Sequence, residues 1–244
     1  IDQHYALNPD GKLVYIREAR HNVRFTCVNC GSEMIAKQGK IREWHFAHKT
    51  LSKNCSHESY LHSLAKIRIH DWFYNADQFL LGLNTEYRCS QMADCIWFDG
   101  ENPSYCKQNK LHIIDLKKYY NSCDIERTYK NFRADLFVYN NQSDKSPVFI
   151  EICVNHPCSE EKINSGIRII EVVIKSEEDI DRIISSTICE GDDLIKLYNF
   201  NPKSQVIDSC YKELTKFVLD KNNRGFFIPL GDVNCKTYTD RDTK

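Results

Sequence analysis

The chain contains no run of about eighteen apolar residues, the length that crosses a bilayer as a helix. No charged, apolar, small-residue leader is visible at its start either, so a cytoplasmic protein without a membrane partner is expected. Charge of one sign is also lacking: 33 Lys and Arg against 34 Asp and Glu leave a net charge of -1, and bulk electrostatics do not announce a nucleic-acid binder. Internal repeats and low-complexity tracts are missing, which argues against repeat architectures. What remains is 244 residues, 41% of them hydrophobic, enough for a buried core. Of the 12 cysteines, two form a CxxC beside histidines in a chain too large to need stapling, so reduced thiols are expected rather than disulfides.

The balanced total conceals an uneven distribution. Between Lys12 and Lys53, nine basic residues (Lys12, Arg17, Arg20, Arg24, Lys37, Lys40, Arg42, Lys49, Lys53) face three acidic ones (Glu18, Glu33, Glu43), an excess of six. Acidic residues gather later, at Glu177, Glu178, Asp179, Asp181, Glu190, Asp192 and Asp193. A basic head can contact phosphates while an acidic tail repels them; solvated faces are the plainer account.

Within the basic head lie Cys27-Val28-Asn29-Cys30, His45-Phe46-Ala47-His48 and Cys55. Soft and borderline ligands gathered this closely suit zinc. Cys27 and Cys30 can bind one ion from a tight turn that Gly31 helps to form, and His48 and Cys55 complete a tetrahedron. His45 is the rival to His48; the other histidine of the pair would pack or touch phosphate. Four protein ligands close the site, which makes it structural rather than catalytic. Cys89, Cys95, Cys106 and Cys123 could form a second site, but their spacings match no tight pattern, and buried thiols are simpler.

The chain is expected to open with a β-hairpin, Tyr5-Ala6-Leu7 and Leu13 to Ile16 around the turn Asn8-Pro9-Asp10-Gly11. Residues 56–75 read as a helix, with Leu61, Leu64, Ala65 and Trp72 near one apolar stripe and Glu58, His62 and Lys66 four apart on another. Residues 76–109 read as an irregular Cys-rich insertion. Three sequential strands of one sheet follow, at 110–116, 132–139 and 147–154, then a short helix at 159–164, a strand at 168–174 and a helix at 177–185. After Gly191 short helical pieces alternate with loops, and the last ten residues look frayed.

Asp135 lies on one of these strands, and sixteen positions later Glu151 interrupts the apolar run Val148-Phe149-Ile150 and Ile152. If the hairpin turns through 141–145, the two carboxylates share one sheet face and repel unless a cation sits between them. An all-oxygen site suits Mg²⁺ or Mn²⁺, which would lower the pKa of a bound water and offset charge growing on a scissile phosphate. The plainer account is a pair of edge carboxylates in salt bridges with Arg133 or Lys162.

Taken together, Tyr5 to Ile16, the CxxC with Gly39 and "HFAH", the helix with Glu58, His62 and Lys66, "RADLFV", and "IEICVNH" followed by Lys162 and "IRIIEV" resemble the competence protein CoiA-like family. That family joins an N-terminal zinc-binding region to a PD-(D/E)XK nuclease domain. The resemblance implies an α/β fold: a restriction-endonuclease-like mixed sheet flanked by helices, preceded by a zinc-bearing β module. It implies a module at 1–56, a nuclease-like domain at 57–200 and a C-terminal extension at 201–244. It implies DNA cleavage with Mg²⁺ or Mn²⁺, Asp135 and Glu151 as metal ligands, and Glu58 or His62 in support. The departure is Cys153, which stands where the pattern places a Lys or Gln two residues after the Glu; a thiol supplies no fixed positive charge. Lys162 or His156 could compensate, and an inactive DNA- or protein-binding descendant is the alternative. Arg20, Arg24, Lys37, Lys40 and Arg42 would clamp the DNA backbone, RNA being the alternative polymer; double-strand cutting would favour a homodimer.

Overall fold

In a computed structural model, residues 3–50, 55–90, 107–207, 211–219 and 225–234 are described. They form a mixed α/β protein with few helices and several sheets, most of whose strand pairs are antiparallel. The chain divides into two compact units, Ile1–Gly82 with Ile113–Phe200, and Leu83–His112 with Asn201–Lys244.

The first unit begins with an antiparallel sheet of β1 (Tyr5–Leu7), β2 (Leu13–Tyr15), β3 (Phe25–Thr26), β4 (Glu33–Lys37) and β5 (His45–His48), in the order β2-β1-β3-β4-β5. The expected hairpin is present. Asn8 Oδ1 accepts from the N–H groups of Asp10 and Lys12 at 3.0 and 2.8 Å, and Gly11 takes φ +74°, which its missing Cβ permits. Ala6, Ile16, Phe25, Met34 and Phe46 pack into a small core, with the Phe25 and Phe46 rings 5.0 Å apart. The pairings Ile35↔Ala47 and Lys37↔His45 put those four residues on the opposite, outer face, because side chains alternate along a strand.

Helix α1 (His57–Asn75) starts at Ser56, whose hydroxyl accepts from Ser59 N–H while Ser59 reciprocates. Its Tyr60, Leu61, Leu64, Ala65, Ile69 and Phe73 are buried. Next come β6 (Leu80–Cys89), β7 (Lys107–Asp115), β8 (Ser122–Tyr129), β9 (Phe132–Tyr139), β10 (Val148–Cys153), α2 (Glu160–Ile163), β11 (Arg168–Val173), α3 (Glu177–Ile184), β12 (Ile188–Cys189) and β13 (Ile195–Tyr198). The central sheet has the order β13-β11-β10-β9-β8; β10 and β11 are parallel and the other neighbours antiparallel. Every residue of β10 is buried, Glu151 included, as expected of a mostly apolar central strand. Strand β12 pairs in parallel with Leu81 and Gly82 of β6.

In the second unit, residues 87–89 of β6 pair in parallel with β14 (Gln205–Ile207), and β15 (Tyr211–Leu219) forms an antiparallel hairpin with β16 (Gly225–Asn234).

Three expectations are corrected. Residues 110–116 do not join the central sheet; they belong mostly to β7, which pairs with β6, and the strand beside β9 is β8. Strand β8 is an edge whose exposed charges, Glu126 and Arg127 among them, hide its strand character. Leu80–Cys89 is a strand rather than irregular, its Leu81, Leu83 and Thr85 buried at period two; residues 91–106 lie outside the described residues. After Gly191 the described residues form β13 to β16 in place of helical pieces, since pairing with distant strands overrides weak local preference. The last ten residues also lie outside the described part.

Candidate metal centres and the acidic cleft

The CxxC folds as a turn in which Gly31 N–H donates to Cys27 O at 3.0 Å and Cys27 N–H to Ser32 O at 2.9 Å. Gly31 takes φ +67° to close it. His48 ends β5, and Cys55 directly precedes the cap of α1. The donor atoms of Cys27, Cys30, His48 and Cys55 lie within 4.8 Å of one another. Cys27 Sγ is 3.6 Å from Cys55 Sγ, and Cys30 Sγ is 3.3 Å from His48 Nε2. A zinc tetrahedron with ligands at their usual distances has edges of about 3.5–3.8 Å, so this Cys₃His set could hold zinc. Burial, aided by Cys55, pushes the Cys27 thiol up to about 12, as expected where thiolates need a cation to form. His45 does not join the cluster. Three positions from His48 on a strand, it faces the other way, with Nδ1 2.9 Å from Glu43 O.

Asn29, inside the CxxC, ties this turn to α1. Its Nδ2 donates to Ser59 Oγ at 3.0 Å and approaches Cys55 Sγ at 3.6 Å, while Ser63 Oγ donates to its Oδ1 at 3.0 Å. A further tie joins the N-terminal strand to α3, where Glu177 accepts from His4 N–H at 3.0 Å and from the Tyr60 hydroxyl at 2.5 Å.

One face of the central sheet is apolar at Phe137, Phe149 and Ile169 and turns polar one pleat further along each strand, at Asp135, Glu151 and Glu171. The register pairs Glu151 with Glu171 and Glu171 with Lys196; the β9–β10 ladder ends at Ile150↔Leu136, so Asp135 is next opposite Glu151. Asp135, Glu151 and Glu171 line a cleft of about 390 Å³ together with His62, His156 and Lys162.

Asp135 Oδ2 accepts from Ile152 N–H at 2.9 Å and lies 3.2 Å from His62 Nε2. Burial raises its pKa, but the bonds from His62 and Ile152, with the charges of His62 and Lys66, bring it below the usual value. Glu151 differs. Burial pushes its carboxyl up to about 7, the nearby Asp135 charge adds to this, and Lys162 only partly offsets it. Lys162 Nζ donates to Glu151 Oε2 at 2.8 Å and to Arg133 O at 2.7 Å. Among the described residues, no group partners the buried Glu151 Oε1. Two carboxylates sharing a cleft, one with an orphaned oxygen, fit a hard divalent cation such as Mg²⁺.

The remaining expected residues are placed as follows. His156, 89% exposed at its side chain, lies with its Nε2 3.9 Å from Glu58 Oε1. Glu58 itself does not line the cleft. Cys153 lines the cleft two residues after Glu151, its thiol raised by burial and by Glu171. Lys37, Lys40 and Arg42 line, with His45, a second, open cleft of about 650 Å³ around the β4–β5 turn; Arg20 and Arg24 are exposed but do not line it. Cys89 and Cys123 are buried thiols, and Cys95 and Cys106 lie outside the described residues.

Sequence reasoning missed Glu171, which is 0% exposed and accepts from Cys158 N–H at 2.6 Å and Lys196 Nζ at 3.0 Å. The signal was available, since Glu171 interrupts Ile169-Ile170 and Val172-Val173 as Glu151 interrupts its own run. Glu126 was also missed. It takes φ +55° and receives Lys66 Nζ at 2.5 Å and the Arg133 guanidinium.

Residues 12–58 match the family model for the N-terminal domain of competence protein CoiA. The match covers the Cys₃His cluster and agrees with the CoiA-like resemblance of the sequence. No curated protein and no solved structure matches the chain. Among the described residues, no helix is long and apolar enough to cross a membrane.

Proposed function

We propose that the chain is a metal-dependent nuclease of the PD-(D/E)XK type that hydrolyses phosphodiester bonds in DNA, with its zinc module as structural support and part of the DNA-binding surface. The observation that carries the reading is the buried, unpartnered Oε1 of Glu151 beside Asp135, in a cleft that also holds an ammonium. The sheet in which β8, β9, β10 and β11 lie side by side, with α2 and α3 joining its later strands, is compatible with the mixed sheet and helices that the resemblance implies.

Bound between Asp135 and Glu151, Mg²⁺ or Mn²⁺ would supply Lewis-acid activation of water and neutralise charge on the phosphate. His62 and the Ile152 N–H keep Asp135 ionised and aimed into the cleft. Lys162 stands in for the lysine that Cys153 replaces. Its ammonium, reaching Glu151 from α2, can hold the attacking water or a phosphate oxygen by charge and hydrogen bond. His156, exposed at its side chain and beside Glu58, stands where it can meet a phosphate.

Labelled DNA incubated with the zinc-loaded protein and Mg²⁺ or Mn²⁺ tests this. Cleavage should fall by roughly a thousand-fold or more in Asp135→Ala and Glu151→Ala proteins of unchanged zinc content. Cys153 favours a second reading, a nuclease fold that binds without turnover. DNA binding with no cleavage by the native chain would select it.

A further inference from the structure

We infer that the tip of the β4–β5 hairpin is a wedge for double-stranded DNA, with Ile41 entering the minor groove between base pairs while Lys40 and Arg42 hold the flanking phosphates. This rests on the DNA reading above and adds the strandedness of the substrate and how the duplex is gripped.

Ile41 is 98% exposed, an extreme position for a large apolar side chain that no part of its own unit covers. Its immediate neighbours in sequence are the exposed cations Lys40 and Arg42. The tip is braced. At its base Gln38 Nε2 donates to Ile16 O at 2.9 Å and Ala19 O at 3.2 Å, and across its neck Trp44 Nε1 donates to Gly39 O at 3.0 Å. A braced tip can push into a base stack, whereas a loose one would fold back over its apolar residue.

The surface behind the tip continues the pattern. Ile35 and Trp44 are 40% and 42% exposed, and Lys37 and His45, a cross-strand pair, stand on the outer face beside Ile35. An apolar centre with a basic rim complements a polyanion whose interior is apolar. Minor-groove proteins use this combination, apolar wedges between base steps with Lys or Arg on the backbone. With Glu43 as the single carboxylate in its lining, the same patch would be a poor site for a cation.

Binding of the zinc-loaded full chain to a duplex, and to its single strand, can be measured without Mg²⁺ or Mn²⁺ so that cleavage does not intervene. The duplex carries an adenine analogue that brightens when unstacked. Ile41→Ala should weaken duplex binding roughly ten-fold, leave single-strand binding unchanged and abolish the brightening. Lys40→Ala with Arg42→Ala should weaken both and lower the salt slope by about two. Because Ile41 contacts solvent, zinc content and melting should stay native in its variant.

Equal duplex affinity and equal brightening for native and Ile41→Ala proteins would overturn the wedge and leave the patch to a protein partner. So would absence of duplex binding by the native chain. If Asp135→Ala abolishes cleavage while Ile41→Ala binds normally, the wedge fails and the nuclease stands; brightening by a native chain that never cleaves has the reverse meaning.

Discussion

The Cys₃His cluster and the acidic cleft both gather side chains of types that ligate metals, yet they are built on opposite plans. In the first, four donor atoms close on one another within 4.8 Å, leaving no protein-free position around a four-coordinate ion. In the second, two carboxylates line an open cleft of about 390 Å³, and one buried oxygen has no protein partner. A closed set of soft ligands exchanges an ion slowly and stabilises a fold too small to stand on its own core; an open oxygen set leaves room for water and substrate.

Removing zinc should produce the largest effect. Stripping with a strong chelator, or Cys27→Ser, should unfold the β1–β5 sheet with an apparent loss on the order of 10 kcal/mol, seen as lost near-ultraviolet dichroism and lost zinc at one per chain. Survival of the sheet without metal would break the contrast, since both centres would then be optional to the fold.

Next in size is the ammonium of the acidic cleft. Lys162→Met should lower cleavage by about a hundred-fold with little change in DNA affinity, and Lys162→Arg should recover part of it. An unaltered rate in Lys162→Met would mean that no fixed charge replaces the one missing at Cys153.

The smallest effect is a slope. With its carboxyl raised from 4.5 to about 7 in the folded chain, Glu151 binds a proton more tightly folded than unfolded. Its contribution to stability is present below pH 4.5 and is lost as pH rises to about 7, a decline of about 1–3 kcal/mol in protein free of divalent cations other than zinc. Asp135, lowered instead, acts in the opposite sense at more acid pH. Denaturant unfolding across this range should show the decline, Glu151→Gln should flatten it, and added Mg²⁺ should reduce it; a native curve flat from pH 4.5 to 7 would remove the electrostatic basis of the cleft.

Much of this contrast was legible in the residues themselves. Helix α1 and strands β9, β10 and β11 announce themselves by period, caps and apolar runs interrupted by a carboxylate, so Asp135 and Glu151 could be set face to face from the sequence. The choice between His45 and His48 was legible in principle: Phe46 is the buried residue of that strand, and His48 shares its face while His45 does not. Strand β8 was not legible, because an edge strand needs apolar residues on one side only, and its charges dominate the pattern. Nor was β13, whose four residues are held by β11. Lys162 illustrates the limit best. Its chemistry could be named from the sequence, but only the turn of chain between β10 and α2 decides that it reaches Glu151.

Asn29 bears on how the protein can be dissected. Through Ser59 and Ser63 it holds the opening turns of the same helix that presents His62 to Asp135, and Ser63 is adjacent in sequence to that histidine. A truncation beginning at the helix would take away the clasp together with the ligand Cys55, and the histidine would lose its bearing although every residue of the acidic cleft remained. The Cys₃His cluster and the acidic cleft are thus bolted to one beam, and neither can be excised as a portable part.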